Sequence, residues 1–186
     1  MNKQTKILEA ALKLFVEFGF HATPTSKIAK EAGVANGTLF HYYKTKDELI
    51  LALYIDVKSR LSEYIYNHIN KDTDFKFLLK GIYINTIEWA ANHKSEFYFM
   101  QQFNTSPYLS LVSIEEIHKQ VKPHLDLLEA GIKNKDLKNI PTELLLRLIN
   151  NHIYAVNQYL NSEDLSVQKT NRIVNETFEM LWLMLS

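Results

Sequence analysis

The sequence predicts an all-α protein. An N-terminal three-helix head containing a helix-turn-helix sits on a larger helical domain, with about nine helices in total. Three observations predict it. Apolar residues recur three and four positions apart through most of the chain, the repeat of helices with a buried side. The stretch from Thr25 to Lys46 reads as two short helices joined by a tight turn. The last two segments, about 142–161 and 166–185, are apolar around more than one stripe, so each needs more than one packing partner.

The first helix, roughly Lys3 to Phe18, sets Leu8, Ala11, Leu12, Phe15 and Phe18 along one side, and Gly19 ends it. These residues are expected to pack on Ile28, Leu39 and Leu49 as the core of the head, with His21 in a solvent-facing loop. Thr25 is placed to cap the next helix, Ile28, Ala29 and Ala32 form its apolar stripe, and Gly33 supplies a left-handed stop. After Val34 and Ala35, a helix capped by Asn36 carries Leu39 and Tyr43 on one face and Thr38, His41 and Tyr42 on another. That second face has nothing obvious to pack against. Thr45 and Glu48 then form a capping box that launches the following helix. A short bracing helix followed by one exposing polar and aromatic groups is the arrangement of a DNA-binding helix-turn-helix.

Ile50, Leu53, Val57, Leu61, Tyr64 and His68 continue without glycine or proline, predicting a helix from Asp47 to about Asn70, about 36 Å long. Phe75 to His93 forms the next, with Leu78, Leu79, Ile82, Tyr83, Ile87 and Ala90 inward, and Ser95 caps a short one ending near Asn104 before the break at Thr105-Ser106-Pro107. Ser113 and Glu116 make another capping box, opening a helix of Ile114, Ile117, Val121, Leu125 and Leu128 toward Gly131 or Lys135, with a kink expected at Pro123. In the last two helices Ile149, Ile153, Val156, Val174, Phe178, Leu181, Trp182 and Leu185 are the expected dimerisation residues, meeting their symmetry mates in a four-helix bundle.

Bulk properties narrow the function. A net charge of zero conceals nine Lys or Arg against six Asp or Glu in residues 1–60, so the head is mildly basic. Cysteine is absent, which removes disulfides, thiolate catalysis and cysteine-held zinc. No run reaches the length of a membrane span and Met1 to Lys6 lacks a signal-peptide plan, so a cytoplasmic protein away from the membrane is expected. The seven histidines include no pair four apart, and no P-loop, dinucleotide fingerprint or G-x-S-x-G occurs. An enzyme is not expected, nor a metal or cofactor; Glu115 with His118 is a pair common on helix surfaces.

From Ile7 to Leu49 the order I-L-x-A-A-x-x-L-F, G-F, T-x-x-I-A-x-x-A-G-V and G-T-L-F-x-Y-Y-x-x-K-x-x-L resembles the TetR family of transcriptional repressors, nearest to its QacR-like branch. The resemblance implies domains at 1–47 for DNA binding and 48–186 for regulation. It implies a homodimer on an inverted-repeat operator in double-stranded DNA, released by a small-molecule effector. It also implies phosphate contacts from Thr25 and Lys46, and it sets Phe40 where the family usually has a tyrosine, so a hydroxyl contact is lost there.

The DNA-contact set is Thr25, Ser26, Asn36, Gly37, Thr38, Phe40, His41, Tyr42 and Lys46. With no arginine in residues 1–59, guanine cannot be read bidentately by arginine, and Thr38, His41, Tyr42, Lys27 and Asn36 favour an A/T-leaning operator. The body's aromatic residues suit a flat, apolar, even cationic effector, with Tyr64, Trp89, Phe99, Phe103, His118 and Tyr154 as the binding set and Glu88, Glu115 and Glu116 as counter-charges. A DNA-binding regulator without such a ligand, controlled by a protein partner, is the alternative.

Overall fold

A computed structural model describes the backbone of residues 2–70, 72–111 and 114–186, and the side chains of these outside 110–121. Among the described residues the elements are nine α-helices, α1 to α9, and one 3-10 helix. None is long and apolar enough to cross a membrane. The chain divides into two compact units, residues 1–60 with 93–116, and residues 61–92 with 117–186.

The first unit holds α1 (Lys3–Phe18), α2 (Thr25–Glu31), α3 (Asn36–Tyr42), most of α4 (Lys46–His68), α6 (Lys94–Asn104) and the 3-10 helix Pro107–Leu111. Asn2 caps α1 by accepting from the Thr5 amide at 2.8 Å. The apolar stripe of α1 is turned from its expected phase. Ile7, Ala10, Ala11, Leu14 and Phe15 are buried, whereas Leu8 and Leu12 are half-buried and Phe18 is exposed beneath the Lys27 ammonium, 3.3 Å from its ring centroid. Gly19 ends the helix at φ 76°, a backbone angle that favours glycine. The buried Thr23 hydroxyl reaches the carbonyls of Gly19 and Leu14, at 2.8 and 3.1 Å, and ties down the loop before α2.

Two expected caps are not made. The helix α2 starts at Thr25 itself with Pro24 at the cap, and α3 starts at Asn36 with Ala35 at the cap; neither cap residue offers a side-chain acceptor. Thr25 and Asn36 are therefore first-turn residues, not caps. Gly33 has the left-handed angle, φ 65°, that turns the chain between the two helices. Thr45 Oγ1 accepts from the Glu48 amide at 3.0 Å, and Glu48 accepts from the Lys44 amide at 2.7 Å, a capping box shifted by one residue on its return arm. The helix α4 begins at Lys46 and buries Leu49, Ile50, Leu53, Tyr54 and Val57 within this unit. At α6, His93 occupies the cap position that Ser95 was expected to hold. Phe99 of α6 meets Phe15 and Phe20, with centroids 6.4 and 5.7 Å apart, so α6 completes the core of the head.

The second unit holds the end of α4, α5 (Phe75–Asn92), most of α7 (Ile114–Lys133), α8 (Thr142–Ser162) and α9 (Val167–Leu185). The end of α4 buries Leu61 and Ile65 instead of Tyr64 and His68, which stack on each other at 4.3 Å. The capping box expected at Ser113 lies outside the described residues, as do the side chains of Ile114, Glu115, Glu116, Ile117, His118 and Val121. The helix α7 continues through Pro123, and Lys135 takes φ 66° just past its end. Around Tyr83, the hydroxyl pairs with Thr177 Oγ1 at 2.9 Å, the ring lies against Phe178, and His152 Nε2 donates to the Thr177 carbonyl at 3.0 Å. Lys138 caps the end of α9, its ammonium reaching the carbonyls of Leu183 and Met184 at 3.1 and 2.9 Å.

Seven of the eight expected dimerisation residues are buried inside the single chain. Ile149, Ile153, Val156, Val174, Phe178, Leu181 and Leu185 are buried within the chain, and Trp182 is half-buried beside Phe75. They form the contact of α8 and α9 with each other and with α5. The apolar surface left over is a neighbouring stripe, Leu144, Ala155 and Tyr159 on α8 with Met180, Leu183 and Met184 on α9, all exposed.

Candidate nucleic-acid interface

The interface is built by what the head buries. Ile28 and Ala29 hold α2 to the core, and Leu39 with Tyr43 holds α3, leaving the remaining faces of these two-turn helices outside. Ser26, Asn36, Gly37, Phe40, His41 and Tyr42 are exposed, while Thr25, Thr38 and Lys46 are half-buried. Every member of the expected DNA-contact set thus reaches the surface of the head, and Tyr43 turns inward as anticipated.

His41 and Tyr42 stand edge to face, centroids 5.6 Å apart at 77°. They form a small aromatic ledge with hydrogen-bonding tips. Phe40, 40 % exposed, adds apolar surface without a hydroxyl. At Gly37 a Cβ would meet nothing within 4 Å, so the fold itself does not require glycine there. Burial lowers the pKa of Lys46, against a smaller opposing effect of Asp47, and this lysine stands at the first position of α4 beside the exposed Lys44. Lys27, by contrast, is engaged on the Phe18 ring. Chemically the surface offers hydroxyls, an imidazole, an aromatic face and ammonium groups, which serves contacts to phosphates, thymine methyls and base edges.

The expected effector set is divided. Phe99 is consumed by packing on Phe15 and Phe20, and Phe103 stacks on Tyr54 at 4.0 Å, both in the first unit. Trp89 is buried and Tyr64 and Tyr154 half-buried in the second, and His118 lies outside the described residues. Glu88 is exposed, as surface carboxylates usually are, so it is not a buried counter-charge; the side chains of Glu115 and Glu116 are not described. Among the described residues no group of three metal-ligating side chains occurs.

Residues 7–53 match the family described as bacterial regulatory proteins, tetR family, and residues 54–186 match the tetracyclin repressor-like C-terminal domain. The chain belongs to the TetR family. It is a TetR-type transcriptional regulator with a helix-turn-helix DNA-binding region. The fatty acid metabolism regulator protein of Bacillus subtilis (strain 168) is 38 % identical over 63 residues, 34 % of this chain and 31 % of its own length. The chain thus spans about a third of that relative. QacR of Staphylococcus aureus, a TetR regulator of the branch expected from the sequence, is 29 % identical over 100 residues, 45 % of this chain and 53 % of its own. A TetR family transcription regulator from Shewanella sp. PV-4 shares the fold over 100 % of this chain and 98 % of that one, with TM-score 0.92 and 28 % identity. FadR of Bacillus subtilis in complex with stearoyl-CoA shares the fold at TM-score 0.75 and 23 % identity over 95 % of this chain and 96 % of that one.

Proposed function

We propose that this TetR-family regulator is a homodimeric repressor that holds a short inverted-repeat operator and is released by a small hydrophobic effector. The observation that carries the DNA reading is the outer face of α3, where Thr38, His41 and Tyr42 stand unopposed around a glycine that the fold does not need. Thr25, Ser26, Asn36, Phe40 and Lys46 flank that face and take the phosphate and sugar contacts.

Dimerisation is supported by the uncovered apolar stripe of α8 and α9. A second copy covers it by two-fold symmetry, with Leu183 and Met180 at its centre and the buried residues behind them as support. Such a pair sets two α3 helices about 34 Å apart, one turn of DNA. The stearoyl-CoA held by the structurally similar FadR supports a hydrophobic effector for this chain as well. An effector that binds better to a conformation with a different head spacing lowers operator affinity, because only one spacing fits both half-sites.

The test is fluorescence anisotropy on fragments of the upstream DNA at two salt concentrations. The wild-type protein is expected to select one fragment, with affinity falling steeply in salt. The Thr38→Ala/Tyr42→Ala protein is expected to lose that selection while its dimerisation persists. Equal binding to all fragments, or selection undisturbed by the double substitution, overturns the reading.

A further inference from the structure

A hydroxyl at the end of α3 is buried without a partner. Tyr43, the C-cap residue of α3, is 5 % exposed, and its phenol oxygen is shut off from water and makes no hydrogen bond. Buried polar groups in folded proteins are nearly always paired, and phenylalanine would fill the same place without the penalty. The side chain next to this hydroxyl is Gln4, in the first turn of α1. Burial raises the pKa of the phenol and the Gln4 amide opposes that rise, although the bond between the two is not closed. Asp56, the charged group on the other side, is engaged by Arg60 at 3.1 Å. Gln4 itself is exposed, and its turn is fixed, since Asn2 Oδ1 accepts from both the amide and the hydroxyl of Thr5, at 2.8 and 3.0 Å.

The place of this pair in the head gives the open bond a meaning. The rings of His41, Tyr42 and Tyr43 follow one another at centroid separations of 5.6 and 6.4 Å. Gln4 therefore stands at the inner end of a row whose outer end is the exposed aromatic ledge. Lys44 is exposed immediately after Tyr43, and Lys46 opens α4. In the free protein water serves the exposed amide, so nothing compels Gln4 to close on Tyr43. A carboxamide has a donor and an acceptor to place at once, and a bound phosphate that displaces the water takes the first and leaves the second for the phenol.

We propose that Gln4 is a further phosphate contact of the head, beyond those on α2, α3 and the start of α4, and that the Tyr43 hydroxyl is its positioning group. On DNA, Gln4 Nε2 donates to a phosphate oxygen and Gln4 Oε1 accepts from the Tyr43 hydroxyl. The buried phenol is thus unsatisfied in the free protein and satisfied in the complex. The inference rests on the reading of the outer face of α3 as the DNA-binding face. As a contact to the backbone it adds affinity for any duplex and no choice of sequence.

The experiment uses the full chain and two duplexes of one length, an upstream fragment and a scrambled version of it. Anisotropy is read at several salt concentrations, with thermal unfolding of every variant. Gln4→Ala is expected to bind both duplexes about tenfold more weakly, the scale of one hydrogen bond to a charged group. Its salt slope is expected to stay that of the wild type, since a neutral amide releases no counterion. Tyr43→Phe is expected to lose affinity severalfold while its unfolding temperature holds or rises, a combination that damage to packing does not produce. The double variant is expected to bind as Gln4→Ala does, because the hydroxyl acts through the amide. A folded Q4A that binds like the wild type overturns the proposal. So does a Y43F that keeps full affinity or loses stability and affinity together, and so do two losses that add in full. The operator reading fails separately: a wild type without preference between the duplexes, both weakened by Q4A, sinks that reading and leaves the Gln4 contact standing, whereas clear selection with Q4A at full affinity sinks this inference alone.

Discussion

Leu181 and Leu183 sit two residues apart on α9 and should fail in different ways when shortened. Leu183 is 73 % exposed and Leu181 is 1 % exposed. Removing three carbons from a leucine forfeits about 2.4 kcal/mol when the side chain is fully buried, at about 0.8 kcal/mol per carbon. For Leu183 about three-quarters of that, roughly 1.7 kcal/mol, is still to be gained from a partner, and a two-fold axis places the residue at the interface twice. Leu183→Ala should therefore weaken the dimer by about 3.5 kcal/mol, roughly three hundredfold in Kd, with little change in the stability of one chain. Leu181→Ala should instead destabilise the fold by about 2–5 kcal/mol, since it opens a cavity between α9 and its intrachain neighbours. Sedimentation equilibrium over a range of concentrations reads the first effect, and urea unfolding of the dissociated chain reads the second. A dimer constant unmoved by Leu183→Ala, or a Leu181→Ala protein that keeps its unfolding midpoint and loses only association, would refute the division of α9 into an inner and an outer face.

Three other outcomes are expected. Gly37→Ala should stabilise α3 by up to about 1 kcal/mol, since its Cβ meets nothing, yet weaken operator binding; a variant that binds as tightly as the wild type would mean that no DNA approaches the backbone there. Gly131→Ala should destabilise by about 1–2 kcal/mol despite its better helix propensity, because the new Cβ falls 2.5 Å from Phe75 Cζ and 3.0 Å from Leu137 Cδ1, and a higher urea midpoint would contradict this. Burial holds the His152 pKa below its ordinary 6.5, with the Thr177 carbonyl a smaller opposing effect, so the unfolded chain binds the proton more readily. The contribution of His152 is therefore complete above about pH 6.5 and is lost as pH falls toward the lowered folded value. His152→Gln should flatten that part of the stability profile, and an unchanged acid slope would exclude the histidine as its source.

Legibility in the sequence followed the range of the interaction. The Thr45 cap on the Glu48 amide and the glycine stops at Gly19 and Gly33 involve neighbours in the chain, and the structure has them as expected, with only the return arm from Glu48 moved to the Lys44 amide. Even among local features Thr25 and Asn36 were misplaced by one position, because a residue able to cap is equally at home in the first turn. The outward set on α3 was readable because a helix of two turns has only one side left once Leu39 and Tyr43 are buried. On α8, however, Leu145, Ile149 and Ile153 and the outer Leu144, Leu148 and Ala155 follow the same helical spacing one position apart, so periodicity alone cannot say which stripe meets the chain's own core.

The return of α6 to the head bears on how regulators of this kind can be recombined. Phe99 fills the gap between Phe15 and Phe20, and Tyr108 lies against Phe20, with centroids 5.1 Å apart. A head excised after α4 would bare two phenylalanines that the intact chain keeps dry. Grafting its DNA specificity onto another body is thus a matter of two cuts, since the segment 93–111 has to travel with residues 1–60 or be matched to them. The portable unit is discontinuous, and operator choice and aromatic fit at α6 are inherited together.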